Sequence, residues 1–185
     1  MSVTALVNMA LVEVGADPIV DINDGSQNAK MCAARYADIA DAILRSHRWN
    51  SAMARARIPS SGDPALFGWS WRYPMPTDPW CLRVLEVNGG EPFKAEGRWI
   101  LTDLAAPLEV LYIARITPEV MDPLLKRAIA MSLGAAIAFR LTSLGGVAER
   151  LATLANSALR EARSIDAQEG TPDDVVADEF IGARR

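Results

Sequence analysis

Apolar residues in this chain recur every three or four positions, then every two, then every three or four again. Between Ser2 and Val14 the apolar set Ala5, Leu6, Met9, Ala10 and Val12 keeps near-helical spacing, and Gly15 is a natural stop, so a first helix is predicted there. The following "GADPIVDINDGS" is rich in Gly, Pro, Asp and Asn and reads as a connecting loop, extended at Pro18-Ile19. A second helix is predicted from Asp24–Ser26 to about His47. Its stripe is Ala29, Cys32, Ala33, Tyr36, Ile39, Ala40, Ile43 and Leu44, and Arg45, His47 and Arg48 crowd the last turn, where cations suit the helix dipole.

From Trp49 to Thr117 the helical period disappears. "MARARI" (53–58), "CLRVLEV" (81–87), "RWILT" (98–102) and "LEVLYIARI" (108–116) alternate in the manner of half-buried strands, and Asn88-Gly89-Gly90 and Glu96-Gly97 are turn signals between them. Seven of the eleven prolines fall in this stretch, which reads as a small antiparallel sheet inserted between helices.

The helical period returns over Pro118–Leu144. Asp122-Pro123 has the form of an N-cap followed by proline in the first turn. The body, "LLKRAIAMSLGAAIAFRL", is apolar almost all round, which predicts a central helix covered on most sides. Gly145-Gly146 is expected to end it. A fourth helix is expected over Val147–Gln168, on a stripe of Leu151, Leu154, Ala155, Ala158, Leu159 and Ala162, and to form a helical hairpin with the third. From Glu169 onward five acidic and two basic residues give −3, most of the chain's net charge of −4. This tail carries no evident packing partner within the chain.

The fold class expected is α+β, mainly α. It is a four-helix bundle (1–48 and 118–168) with an inserted small antiparallel sheet or hairpin domain (49–117) and an extended C-terminal tail (169–185). The length of 185 residues suits one domain, or a core with a subdomain. The acidic balance argues against a general nucleic-acid binder. The first fourteen residues lack a basic segment, and Glu13 interrupts their apolar run, so no export leader is expected. Lys126, Arg127, Arg140, Glu149 and Arg150 interrupt every later window long enough to span a membrane, so a soluble protein is expected.

Candidate chemistry is sparse. Cys32 and Cys81 are far apart, lack metal or redox spacing and read as buried thiols. The single histidine, His47, has no nucleophile or carboxylate in register and reads as structural. Asp21, Asn23 and Asp24 resemble the start of a calcium loop, but Gly25 comes too early and no distal Glu follows. "GSQNAK" lacks the second glycine and the Lys-Ser/Thr pair of a phosphate loop. Arg55 and Arg57 alternate along a strand and read as a solvated face rather than a phosphate contact. The tryptophans Trp49, Trp69, Trp71, Trp80 and Trp99 gather in and beside the predicted sheet and are expected to fill its core and pack it on the helices. No catalytic residue, metal site or cofactor is assigned.

Three stretches carry a likeness. "ALVNMALVEVGADPIVDIND", "CAARYADIADAILRSHRWNSAMARARI" and "WRYPMPTDPWCLRVLEV" resemble, in order, the leading helix and Pro-Ile loop, the second helix with its basic-Trp end, and the Tyr-x-x-Pro-x-Asp-x-Leu-Arg run of the head-to-tail adaptor proteins of tailed phages. That group includes the tail tubular protein A type, and related proteins act in gene transfer agents. The last run is Tyr73, Pro76, Asp78, Leu82 and Arg83 here, lengthened slightly by Pro79-Trp80, and the alanine-rich helix from Pro123 completes the pattern. Asp78 is expected to cap a turn and Leu82 to begin the buried alternation.

The resemblance covers nearly the whole chain and implies a non-enzymatic virion protein. Such a protein forms a ring, usually of twelve copies, beneath the portal protein, in the neck between capsid and tail. It docks the tail's nozzle or completion protein and lets DNA pass through its lumen without sequence-specific binding. No membrane is involved. The tail would reach the portal, with Phe180 and Ile181 anchoring in a cleft and Arg184 and Arg185 meeting acidic groups. The lumen wall would carry mixed or negative charge. The other readings are a neck or tail-completion protein lower in the same assembly, and a small ligand-binding enzyme that uses the tryptophan-rich sheet as a sugar or nucleotide platform.

Overall fold

The computed structural model describes residues 1–59 and 63–169. Among them lie four α-helices, α1 (Val3–Val14), α2 (Gln27–Arg45), α3 (Pro123–Thr142) and α4 (Gly145–Asp166), and six strands. The strands are β1 (Met53–Ile58), β2 (Trp71–Pro74), β3 (Cys81–Val87), β4 (Lys94–Glu96), β5 (Trp99–Thr102) and β6 (Leu108–Ala114).

Local chemistry sets most of the helix ends. The Ser2 hydroxyl accepts from Ala5 N–H to open α1. Gly15, at φ 80°, closes it, with Gly15 N–H donating to Val12 O and Ala16 N–H to Leu11 O. The loop beyond is tied back through Asn8, whose side chain donates to Ile19 O at 2.9 Å and accepts from Ile19 N–H at 2.8 Å, which buries Ile19. Asp122 caps α3 as expected, accepting from Leu124 N–H at 2.7 Å with Pro123 in the first turn. The end of α3 differs from the expectation. Ser143, in the left-handed region at φ 58°, is the stop, and Gly145-Gly146 lies inside the first turn of α4.

The expected four-helix bundle with an inserted hairpin is not what forms. The most extensive packing of α1, α2 and α4 is in each case on α3, so α3 is a hub and the expected bundle does not arise. The strands make two antiparallel three-stranded sheets, ordered β1-β6-β3 and β2-β5-β4. The first sheet serves two cores. Cys81, Val84, Val87, Leu108, Val110 and Tyr112 face the second sheet and enclose Tyr73, Met75 and Ile100. On the opposite side Ile113, Leu82 and Leu85 join the helical core of Leu6, Leu11, Leu44, Ile129 and Leu133. The arrangement is helices, sheet, sheet, an α+β fold in which the middle layer is shared.

β3 can face both ways because its pairing with β6 slips twice, between Cys81 and Arg83 and between Val84 and Glu86. Each bulge adds a residue, so the residues turned to the inter-sheet core are spaced by three rather than two. β2 and β4 escape the sequence reading. β2 is four residues ending in proline, and β4 is three exposed residues with no alternation to detect.

The tryptophans depart further from expectation. Trp49 alone is a core residue, 1% exposed, with its indole N–H on Ile43 O at 3.0 Å. Trp71, Trp80 and Trp99 lie on the surface and Trp69 is half-buried. The inter-sheet core is filled by Tyr73, Tyr112, Val and Ile side chains instead.

Candidate functional site

The six residues singled out around the Tyr-Pro-Asp run do not all converge on one site. Tyr73 is buried between the sheets and its hydroxyl donates to Leu104 O at 2.8 Å. Asp78 is exposed, and Leu82 leans into the helical core. Pro76 contributes its carbonyl, which accepts from Cys81 N–H at 3.0 Å and from Arg98 Nη2 at 2.9 Å. Trp80, Leu82 and Arg83 line a groove. Phe180, Ile181, Arg184 and Arg185 lie outside the described residues.

That groove, of ≈ 590 Å³, runs where the end of α2 meets the start of β3, the β4–β5 turn and the residue after β6. Arg45, Arg83, Arg98 and Arg115 line it, and the lining carboxylate is Asp41. Trp80, 40% exposed, is part of the lining, with the Arg98 guanidinium 3.9 Å from its ring centroid and that of Arg115 5.8 Å away. A tryptophan face favours a cation, and a guanidinium stacks on it while its edge stays available for hydrogen bonds.

Each arginine is held. Arg98 Nη1 donates to Cys81 O at 2.6 Å, which with its Pro76 bond clamps the turn before β3. Arg45 donates to Leu82 O, and Arg83 Nη1 reaches Arg45 O at 3.5 Å. Arg115 grips Asp41 with two donors, Nε at 2.9 Å to Oδ1 and Nη2 to Oδ2, and this bond raises the Arg115 pKa. Three of the four cations are thus bonded to neutral carbonyls, and the groove keeps a positive field. Fixed donors and a stacking platform of this kind suit an anionic group bearing some apolar surface.

The sequence held no signal for this cluster. Asp41 and Arg115 are 74 residues apart, and Arg98 and Arg115 sit at strand edges, where a single charge is unremarkable. The Cys81 thiol borders the groove, but burial pushes its pKa up, with Arg98 and Arg45 opposing weakly, and burial does the same to Cys32. Both thiols are buried and free.

Two other surfaces differ in character. The outer face of the β2-β5-β4 sheet forms an aromatic hollow of Trp69, Trp99 and Leu101, rimmed by Leu66 and Phe67, with Arg72 4.6 Å over the Trp99 ring. On β1, Arg55 and Arg57 share one face, and Arg57 pairs with Glu109 in the solvated manner expected. Among the described residues no three His, Cys, Asp or Glu side chains gather to hold a metal ion, and no helix is long and apolar enough to cross a membrane.

No protein-family model matches the chain, and no curated protein matches it either.

Proposed function

We propose that this protein is a non-enzymatic ring subunit of the head-to-tail adaptor type, which extends a portal collar and receives a tail. Beyond the motif resemblance, one observation supports the reading. Among the described residues several large apolar side chains stand in water, and two adjacent or near-adjacent pairs of them lie in different layers of the fold. Leu66 and Phe67, 91% and 86% exposed, rim the outer sheet, while Phe139 and Leu144, 61% and 60% exposed, mark the α3–α4 corner. A lone globule leaves such pairs bare at a cost in solubility. A subunit that meets its neighbour head to tail needs two unlike patches, and repetition of that contact closes a ring.

The carboxyl-terminal Phe180, Ile181, Arg184 and Arg185 are assigned in this proposal to the portal, and the mixed-charge lumen to passing DNA. Negative-stain imaging and mass measurement of the protein, alone and mixed with portal rings, test it. Closed rings that cap the portal are expected. A protein that stays monomeric at every concentration and ignores the portal overturns it.

A further inference from the structure

The arginine groove lies beside the place where the described chain ends. α4 finishes against the segment that follows α2. Arg163 Nη2 donates to the Ser46 hydroxyl at 2.8 Å, and Asp166 meets His47 at 3.2 Å and Asn50 N–H at 2.9 Å. Arg45, on the groove wall, is the residue before Ser46. The chain therefore passes Glu169 close to a concavity that holds four guanidinium groups and one carboxylate.

The residues that follow suit it in charge. Asp173, Asp174, Asp178 and Glu179 place four carboxylates around the apolar Val175-Val176-Ala177. Asp173 is four residues beyond Glu169, and an extended chain covers about 13 Å in four residues. We infer that the acidic segment 173–179 docks in the arginine groove of its own subunit. Its carboxylates meet Arg45, Arg83 and Arg98, and its valines lie against the exposed Trp80 indole.

Single exposed ion pairs are weak. Here the tether supplies a high effective concentration, so several weak contacts suffice. The docked run ends at Glu179, which leaves Phe180 and Ile181 for the partner given them above. The inference concerns a single subunit and stands whether or not a ring forms.

The test is a cross-link in the full chain. Ala95→Cys, exposed on the groove wall, and Val176→Cys are joined by a short bis-maleimide; the native Cys32 and Cys81 are buried. Expected is a cross-link that leaves a single-chain mass on a denaturing gel and forms at least about five times faster than one between Glu149→Cys, at the far end of α4, and Val176→Cys. Changing Asp173, Asp174 and Asp178 to Asn and Glu179 to Gln, or raising salt to about 0.5 M, should remove most of that advantage. Arg83→Glu, an exposed position that carries neither cysteine, should also reduce it. Equal rates for the two cysteine pairs, or a neutral tail that links as fast as the acidic one, overturns the docking. A ladder of linked chains gives the groove to a neighbour's tail and overturns the assignment to the same subunit.

Discussion

His47 and Asp166 stand 119 residues apart in the chain, and their side chains meet at 3.2 Å where α4 ends against the segment after α2. The same carboxylate accepts from Asn50 N–H at 2.9 Å, and Asn50 Nδ2 donates to Asp166 O at 2.6 Å. Asp166 is buried, so one side chain ties the last residue of α4 to the first residue of the short 3₁₀ turn Asn50–Ala52 that leads into β1. Asp166→Ala strips an acceptor from a half-buried backbone N–H. The expected loss is about 1–3 kcal/mol in urea unfolding, and Asp166→Asn, which keeps one acceptor, should lose less. Equal stability of the alanine variant and the parent would show that the junction is not held this way.

The tryptophans give a second test, because burial separates them. Trp49→Ala empties a fully packed site and leaves Ile43 O without its indole donor, for an expected cost of about 3–5 kcal/mol. Trp80→Ala removes a surface ring and a guanidinium stack, for about 1 kcal/mol or less. Thermal melts of the two variants should therefore separate clearly, with Trp49→Ala far lower.

What the sequence could tell follows from how local each signal is. Gly15, Ser26 and Asp122 act on neighbours within a few residues, so the starts and stops they make were readable. β1, β3, β5 and β6 alternate strongly enough to be seen, though two bulges in β3 hid which residues share a face. Gly145-Gly146 looked like a terminator because glycine favours the left-handed region, yet Ser143 occupies that region two residues earlier. The bundle failed for a non-local reason. α2 has an apolar stripe that suits a helical neighbour, but part of what it meets is β3 and β6. The groove is less legible still. Its wall comes from α2, β3, the β4–β5 turn and the end of β6, and of its charged members the sequence points only to Arg45, as a helix-end cation, and to Arg83, in the Tyr-Pro-Asp run.

Acid should weaken the first loop. The Asp24 carboxylate accepts from the side chain and backbone of Ser26, and these bonds hold its pKa below the ordinary value. A folded-state pKa below the unfolded one contributes stability that is present above the unfolded value and lost as pH falls through the folded value. Asp24→Asn has no charge to lose. The stability gap between parent and variant should therefore hold steady down to about pH 5 and narrow as pH falls below about 4 in urea titrations. A gap that stays constant as pH falls below about 4 would remove Asp24 from the acid response.

At Gly134 α3 lies close against α1. A Cβ placed there would stand 3.3 Å from Ala10 O and 3.7 Å from Leu151 Cδ1, between backbone on one side and α4 on the other. Gly134→Leu forces these helices apart, for an expected loss of about 1–3 kcal/mol, visible as a lower melting temperature. A variant as stable as the parent would mean that α1 slides on α3 at little cost.

The proposed ring makes a sharper demand than oligomerisation alone. If Phe67 on the sheet rim and Phe139 on the helical corner belong to opposite halves of one head-to-tail contact, then Phe67→Glu and Phe139→Glu each kill one half and leave the other intact. Both side chains are mostly in water, so neither change should lower the stability of the single subunit by more than about 0.5 kcal/mol. Each variant alone should be monomeric. Mixed in equal amounts, they can join only once, the live rim of one against the live corner of the other, and growth stops at a dimer because both outer patches are charged. Mass measurement of the mixture distinguishes the cases. Dimers support the head-to-tail contact, whereas monomers in the mixture, or full rings from either variant alone, show that these two patches do not meet.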